Sequence, residues 1–488
     1  MRRRLLPTVA LLAVLSLVVA ACGQKSGVHV ATGGNAELAS DGLDGEAGAV
    51  DAEGNPIDGG TGAVDAAGNP ITGSATGSAG GSAGGRSTTR RVAGGSGGTA
   101  TDDGDDGGGG GTATTKVWGK TITIGIHAPI TGAAPLPSTF QSAANFVKNY
   151  YNARGGIHGR SLEIEIVDDQ YQPAVATQRC QELVKQRNAF LLIGAAGTDQ
   201  IQACARYAAT AAVPYLSAGV TEKGLTRLKN YFAISMSYRA QVPYLVQYMK
   251  QQWPDKAADP SKVFMVYSDT PNFGDAVAAW QAALPGAKTI KLSRVPSQSE
   301  LNAAARQLCD ARATIAFPLM APKDWLFVIG GQPTGCTPQW AGIGVTMGVN
   351  EVAKNACRSS GDKFIGSTFF SPFPGKDKAP GMDADFKAGT SQGANASQWD
   401  DIWVALWGTT KGMVMLLDRV GPELTRAKFV TTMESTTGLN TGLGPVLSYA
   451  PGQHFGALQV HVLKATCTGS SGAYSGGEYT TPTIFLEY

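Results

Sequence analysis

From residue 120 onward, short β-branched runs alternate with longer amphipathic stretches, and this alternation is the tightest constraint on the fold. Residues 121–126 predict a strand. A loop over 128–137 then leads to a helix that Ser138 can cap, with Phe140, Ala144, Val147 and Tyr151 on one face. Gly155 and Gly156 stop it. Residues 162–167 alternate as a second strand, 173–186 read as a helix, 190–193 as an apolar strand, 198–212 as a helix and 213–216 as a strand. A second series opens with a strand at 262–267 and a helix through Trp280, and continues with strands at 314–317, 339–343 and 364–370. Apolar strands separated by helices form parallel sheets covered on both faces, so the expected class is α/β. The stretch is too long for one hydrophobic core, which implies two lobes.

The residues before 120 do not fit that pattern. Arg2, Arg3 and Arg4 precede an apolar run over 5–20, and Val19, Ala20 and Ala21 precede Cys22. A cationic start, a short apolar core and small residues before a cut form the grammar of a secretory signal over residues 1–21. The run is short for a bilayer span of about 20 residues. Cys directly after Val-Ala-Ala resembles a bacterial lipoprotein lipobox. That resemblance implies cleavage before Cys22, a lipid on its thiol, and a chain anchored to the outer face of the cell membrane.

Residues 23–115 are Gly, Ala, Ser, Thr and Asp with almost no large apolar side chains. Such a segment cannot bury enough surface to offset its chain entropy. Residues 22–119 therefore read as a disordered tether, with a mean reach of roughly 50 Å for a flexible Gly-rich coil. A short repeat at 48–57 and 62–71 has too few copies for a solenoid.

Beyond Cys22 six cysteines remain, Cys180, Cys204, Cys309, Cys336, Cys357 and Cys467. An even number in an exported chain points to disulfides, and six cysteines allow 15 pairings. Cys180–Cys204 and Cys309–Cys336 link neighbouring expected elements, and Cys357–Cys467 follows by elimination. No CxxC or HExxH occurs, so no metal or cofactor is expected. A net charge of +2 gives no field that would draw nucleic acid. Asp168 and Asp169 point opposite ways on an extended chain and do not form a catalytic pair. A hydrolase-like Gly-x-Ser-x-Gly at 94–98 lies in the tether, and the glycines at 342–348 have the wrong spacing for a dinucleotide loop. Trp403 and Trp407 follow Trp399 at helical spacing and, with Trp325, read as core; Trp399 starts its helix and can reach a cleft.

Several motifs together resemble one family. They are Pro129-Ile-Thr-Gly132, the run from Asn152 to Arg160 with Gly155-Gly-Ile157, Asp168-Asp169 with Pro173, Val213-Pro-Tyr-Leu-Ser217 with Thr221, Asn272-Phe-Gly-Asp275 and Gly444-Pro445. The chain resembles the extracytoplasmic solute-binding proteins of branched-chain amino acid and amide ABC transporters, the type I periplasmic binding protein fold. The resemblance implies two Rossmann-like lobes joined by three hinge crossings, with residues 120–237 and 367–440 in one lobe and 238–366 and 441–488 in the other. It implies a small polar solute, an amino acid, amide or small carboxylate, clamped between the lobes and handed to an ABC permease, with no covalent chemistry. By position, Thr198, Ser217, Gly219 and Thr221 hold the solute's polar head. Leu136 falls where relatives place an aromatic cover and Phe273 where they place a Tyr, while Tyr238 and Met320 line the cleft or its hinge. Gly344 falls where some relatives present an acid to an ammonium. Either Asp199 or Asp269 replaces that acid, or the solute has no α-ammonium.

Two other functions compete. A ligand sensor with the same lobes would signal to a membrane partner. An exported hydrolase or cell-wall protein on this scaffold fits poorly, because no nucleophile, base and orienting group appear together.

Overall fold

The computed structural model describes residues 116–132, 135–136, 139–217, 224–344, 350–391, 400–470, 473–474 and 476–486. The signal segment, Cys22 and residues 23–115 lie outside the described residues, as do Ser138, Gly219, Thr221 and Trp399.

The first series runs β1 (Thr121–Ala128), α1 (Thr139–Asn152), β2 (Ser161–Asp168), α2 (Pro173–Lys185), β3 (Leu191–Gly194), α3 (Thr198–Thr210), β4 (Tyr215–Ser217) and β5 (Tyr231–Ala233). Its strands are all parallel, in the order β2-β1-β3-β4-β5. On β1, Ile122, Ile124 and Ile126 are fully buried, each burial contributing roughly 2 kcal/mol. Helix α1 buries Phe140, Ala143, Ala144, Val147 and Tyr150, an apolar stripe at helical spacing. Its last residue, Asn152, donates to Leu162 O and accepts from Leu162 N, which fixes the turn into β2. A disulfide, Cys180–Cys204, ties α2 to α3 at a Cα–Cα distance of 6.0 Å.

The second series adds α4 (Tyr238–Gln252), α5 (Pro254–Ala257), β6 (Val263–Ser268), α6 (Gly274–Ala283), β7 (Lys288–Leu292), α7 (Gln298–Asp310), β8 (Ile315–Leu319), α8 (Pro322–Gly330), β9 (Gln339–Ile343), α9 (Asn350–Phe364) and β10 (Thr368–Ser371). Helices α10 (Ala379–Met382), α11 (Ala384–Ser391), α12 (Asp401–Val420) and α13 (Arg426–Glu434) follow, then β11 (Val460–Thr468) and β12 (Gly476–Leu486). The second sheet has the order β12-β11-β10-β9-β8-β6-β7. Strands β6 to β10 are parallel, and β11 and β12 add an antiparallel pair at the β10 edge. Two further disulfides belong to this part, Cys309–Cys336 and Cys357–Cys467. All three pairs are those favoured from the sequence.

Between β10 and β11 the chain returns to the first sheet. Trp407 on α12 stacks on Tyr151 and meets Tyr150 edge-on, and Trp403 packs on Phe146. Both tryptophans are buried, and Trp325 is buried on α8. The Trp407 indole donates to Asp383 at 3.0 Å, and Lys411 pairs with the same buried carboxylate at 2.9 Å. From α13, Arg426 donates to the carbonyls of Ala189 and Phe190 at the start of β3.

Three expectations need correction. Phe364 ends α9 rather than opening a strand, and β10 starts at Thr368, after a turn at Gly366 with φ of 79°. Strand β10, expected with residues 367–440 beside the first sheet, instead pairs with β9 and β11 in the second. Residues from 441, expected with the second sheet, first stay on β5. There Ala233 donates to His454 O at 2.8 Å, and its carbonyl accepts from Gly456 N and the Tyr449 hydroxyl. Backbone pairing, which the sequence does not display, sets which sheet each of these segments joins.

Candidate functional site

Ligands of open parallel sheets bind beyond the carboxyl ends of the strands, and here the ends from both sheets face one crevice. Tyr171 follows β2, and Thr198, Asp199 and Gln200 open α3 after β3. Opposite them stand Ser268 at the end of β6, Thr270 and Phe273 beyond it, Arg294 after β7, and Asp324 in the first turn of α8. The crevice holds about 570 Å³ of space, part of it open solvent.

The loop beside the crevice is built by a carboxylate. Asp168 accepts from the amides of Ile130 (3.0 Å), Thr131 (3.1 Å) and Gln170 (2.9 Å) and from the Thr131 hydroxyl (2.5 Å). Burial pushes this carboxyl up, but the Thr131 hydroxyl and the three amides outweigh it and hold it below its ordinary value. Gly132 closes the loop with φ of 98°, and a Cβ there would lie 2.2 Å from Gln170 O. Asp169 turns inward, fully buried, and meets His127 Nδ1 at 2.8 Å, while His127 Nε2 meets the Tyr215 hydroxyl at 2.6 Å. The two aspartates thus diverge, as neighbours on a strand do. His127 also lies within 4.8 Å of the Cys180 and Cys204 sulfurs, but these are bonded to each other and offer no thiolate to a metal.

A cluster of contacts centred on Asp199 crosses the crevice. Asp199 accepts from the Thr270 hydroxyl at 2.7 Å, from the Asn272 amide, and from Arg294 Nε at 2.8 Å and Nη2 at 2.7 Å. Its carboxylate is therefore saturated by donors from the opposite side and is not offered to a solute ammonium. Asp269 pairs with Lys291 at 2.8 Å on the surface, so neither acid expected to replace the missing one is free.

Other polar groups in the crevice have no protein partner. Gln200 Nε2 and Ser268 Oγ are buried with none, as is the nearby Asn272 Oδ1. Asp324 is 8% exposed, and among the described residues nothing hydrogen-bonds or ion-pairs with its carboxylate. Burial pushes this carboxyl above its ordinary value, with Lys323 pulling weakly the other way. Buried polar groups normally find partners, so this set marks where a ligand or water would complete the protein.

Of the residues expected at the site, Thr198 and Phe273 line the crevice. Tyr238 is buried behind Phe273, ring centroids 6.4 Å apart. Gly344 has φ of 64°, and a Cβ there would lie 2.4 Å from the Tyr238 hydroxyl, so that hydroxyl fills the space a side chain at 344 would need. Met320 is buried in the core of the second sheet, Ser217 is buried at the end of β4, and half-buried Leu136 packs on the first core. Gly219 and Thr221 lie outside the described residues.

Sequence reasoning passed over Tyr171, Gln200, Ser268, Thr270, Arg294 and Asp324 as binding residues. Tyr171, Gln200, Ser268 and Thr270 stand at or just beyond the carboxyl ends of strands, a signal available in the sequence. Arg294 follows β7, a strand the sequence reading does not contain.

The profile of the Periplasmic binding protein family matches residues 121–469. No curated protein sequence is significantly similar to the chain. Among solved structures, it resembles a fatty acid ABC transporter substrate-binding protein from Thermomonospora curvata, with a TM-score of 0.62 and 17% identity over 76% of this chain and 93% of that one. It also resembles the branched-chain amino acid transporter substrate-binding protein LivJ from Streptococcus pneumoniae in complex with isoleucine, with a TM-score of 0.58 and 16% identity over 74% of this chain and 100% of that one. A third is an ABC transporter solute-binding protein from Rhodopseudomonas palustris BisB5 in complex with 3,4-dihydroxybenzoic acid, with a TM-score of 0.55 and 15% identity over 76% and 98%.

Proposed function

The chain belongs to the periplasmic binding protein family, and from that premise we propose that it is an extracytoplasmic receptor that clamps a small polar solute between two lobes and delivers it to an ABC importer. One observation carries the reading. Strand ends of both sheets meet at a single crevice, and buried polar groups from both sides, Gln200 and Ser268, face it unpartnered. A solute bridging them would favour the closed arrangement over an open one, and only such differential affinity can shift that equilibrium.

The lobes of this proposal follow the sheets. One comprises β1 to β5 with α12 and α13, the other β6 to β10 with β11 and β12. Thr198 and Phe273 contact the solute directly, and Tyr238 supports Phe273 from behind. Neighbours of the same fold are in complex with an amino acid in one case and an aromatic acid in another, so the fold itself leaves the solute class open.

The N-terminal residues fit the same role. In this proposal residues 1–21 direct export and Cys22 carries the lipid that anchors the chain. In a bacterial host, Cys22→Ser should move the protein from the membrane fraction to the medium or periplasm and abolish labelling by radioactive palmitate.

The deciding experiment is a thermal-shift screen of the detergent-purified protein against amino acids, amides, amines, fatty acids and aromatic acids. A true ligand at 100 times its dissociation constant stabilises by about 2.7 kcal/mol. A loss-of-function strain should then fail to take up that compound. If no compound of any class shifts the melting temperature, the receptor reading fails.

A further inference from the structure

On the premise that the chain is such a receptor, we propose that Asp324 sets the class of solute by pairing with a protonated amine, so that the crevice prefers an amine to a carboxylate at that end.

The two carboxylates of the crevice are in opposite conditions. Asp199 is saturated by Thr270, Asn272 and Arg294. Asp324 is 8% exposed and has no partner among the described residues. A largely buried carboxylate that only crevice solvent reaches is less favourable than one paired with a cation, and a cation on the ligand supplies that pairing. The same contrast disfavours an anionic solute. Arg294, the cation that would hold a solute carboxylate, already has its charge paired with Asp199 through Nε and Nη2. Lys323 is the remaining cation lining the crevice, and it is exposed to water. A carboxylate brought into the buried end would meet Asp324 without a buried counter-charge.

The neighbouring groups suit an ammonium. Such a group donates three hydrogen bonds and accepts none. Asp324 accepts one and Ser268 Oγ, 5% exposed and unpartnered, is a second acceptor on the same wall. Phe273, Val295 and Ala321 line the crevice beside them and cover a carbon body. Gln200 Nε2, 1% exposed, reaches the crevice from the other side as a donor for a neutral oxygen of the solute. Burial also raises the Asp324 carboxyl, as expected of an acid awaiting a cation.

The test uses matched amines and acids with the same carbon body: 3-methylbutylamine against 4-methylpentanoate, 2-phenylethylamine against 3-phenylpropanoate, and 1,6-diaminohexane against octanedioate. Calorimetry at pH 7 on the detergent-purified protein should show binding by an amine at least tenfold tighter than by its matched acid. Asp324→Asn should weaken amine binding at least 30-fold with a melting temperature no lower than the parent's, and Asp324→Glu should keep the preference for the amine. Acids that bind better than their amines, or an Asp324→Asn variant that binds amines as the parent does, overturn the assignment and leave the receptor reading intact. So does a ligand found in the wider screen while all three amines stay inert. A wider screen that finds no ligand at all overturns both.

Discussion

Asp199 and Arg294 face each other across the crevice, carboxylate to guanidinium, with Nη2 at 2.7 Å and Nε at 2.8 Å from the same oxygen. Asp199 sits in the first turn of α3, attached to the first sheet, and Arg294 follows β7 of the second. Thr270 and Asn272 complete the shell around the carboxylate. The protein thus supplies its own bridge between the two sides, and a solute adds to a contact that already exists. Charge-assisted bonds are stronger than neutral ones, but the Arg294 side chain is 48% exposed, which screens the pair.

Arg294→Gln is therefore expected to cost about 1 kcal/mol of stability, in keeping with a half-exposed ion pair. The clearer effect is on shape. Small-angle scattering of the ligand-free protein should give a larger radius of gyration for Arg294→Gln and for Asp199→Asn than for the parent. Identical scattering from all three would mean the pair does not hold the two sides together.

The Tyr238 hydroxyl and Gly344 exclude any side chain at position 344. Gly344→Ala places a Cβ 2.4 Å from that hydroxyl at a backbone φ of 64°, where L residues are strained. A loss of about 2 kcal/mol or more is expected from the strain and the displaced ring. Tyr238→Phe removes the nearest atom but leaves ring Cζ at 2.8 Å, so the double variant should recover part of the loss. Urea denaturation of the four proteins measures the coupling, and strictly additive losses would show that the two positions do not collide.

The class of fold is legible because β1 buries Ile122, Ile124 and Ile126 and the helices carry apolar stripes, patterns set by local period. Strands set by pairing are harder to read. β5 has three residues, and β7 is five residues long with exposed lysines at 288 and 291, as suits an edge strand, so neither stands out. The site is legible only as strand-end loops. Within those loops it is the family resemblance that singles out Thr198 and Phe273. Arg294 is hidden behind the unread β7, and Asp324 lies in the first turn of the helix after β8. What separates Asp199 from Asp324, one saturated and one without a partner, depends on contacts more than 70 residues apart in the chain and has no local signature.

The three disulfides should differ in weight. Cys180–Cys204 and Cys309–Cys336 close loops of 24 and 27 residues, whereas Cys357–Cys467 closes one of 110. In the chain-entropy account the short loops contribute about 3.5 kcal/mol each and the long one about 4.8 kcal/mol. Cys357→Ala with Cys467→Ala should thus lower stability more than either of the other double replacements, and should free α9 from β11. Denaturation midpoints of the three variants test the order. A Cys357/Cys467 variant as stable as the parent would sink the account.

Burial drives the last expectation, a dependence on pH. His461 at the start of β11 is fully buried, its Nε2 donating to Leu443 O at 2.8 Å and its Nδ1 without a partner. A proton added at Nδ1 would be buried with no acceptor, and burial accordingly pushes the imidazole down to about 4, with the Leu443 carbonyl opposing more weakly. The unfolded chain takes up that proton near pH 6.5, and the folded one only near its lowered value. Stability from this group is therefore complete above about pH 6.5 and declines as the pH falls towards 4, by at most about 1.4 kcal/mol per pH unit and about 3 kcal/mol in all. His461→Gln keeps a donor for Leu443 and cannot titrate. The stability difference between parent and variant should therefore shift in favour of the variant across that window. Parallel stability curves for the two proteins between pH 4 and 6.5 would show that this ring does not set the acid sensitivity.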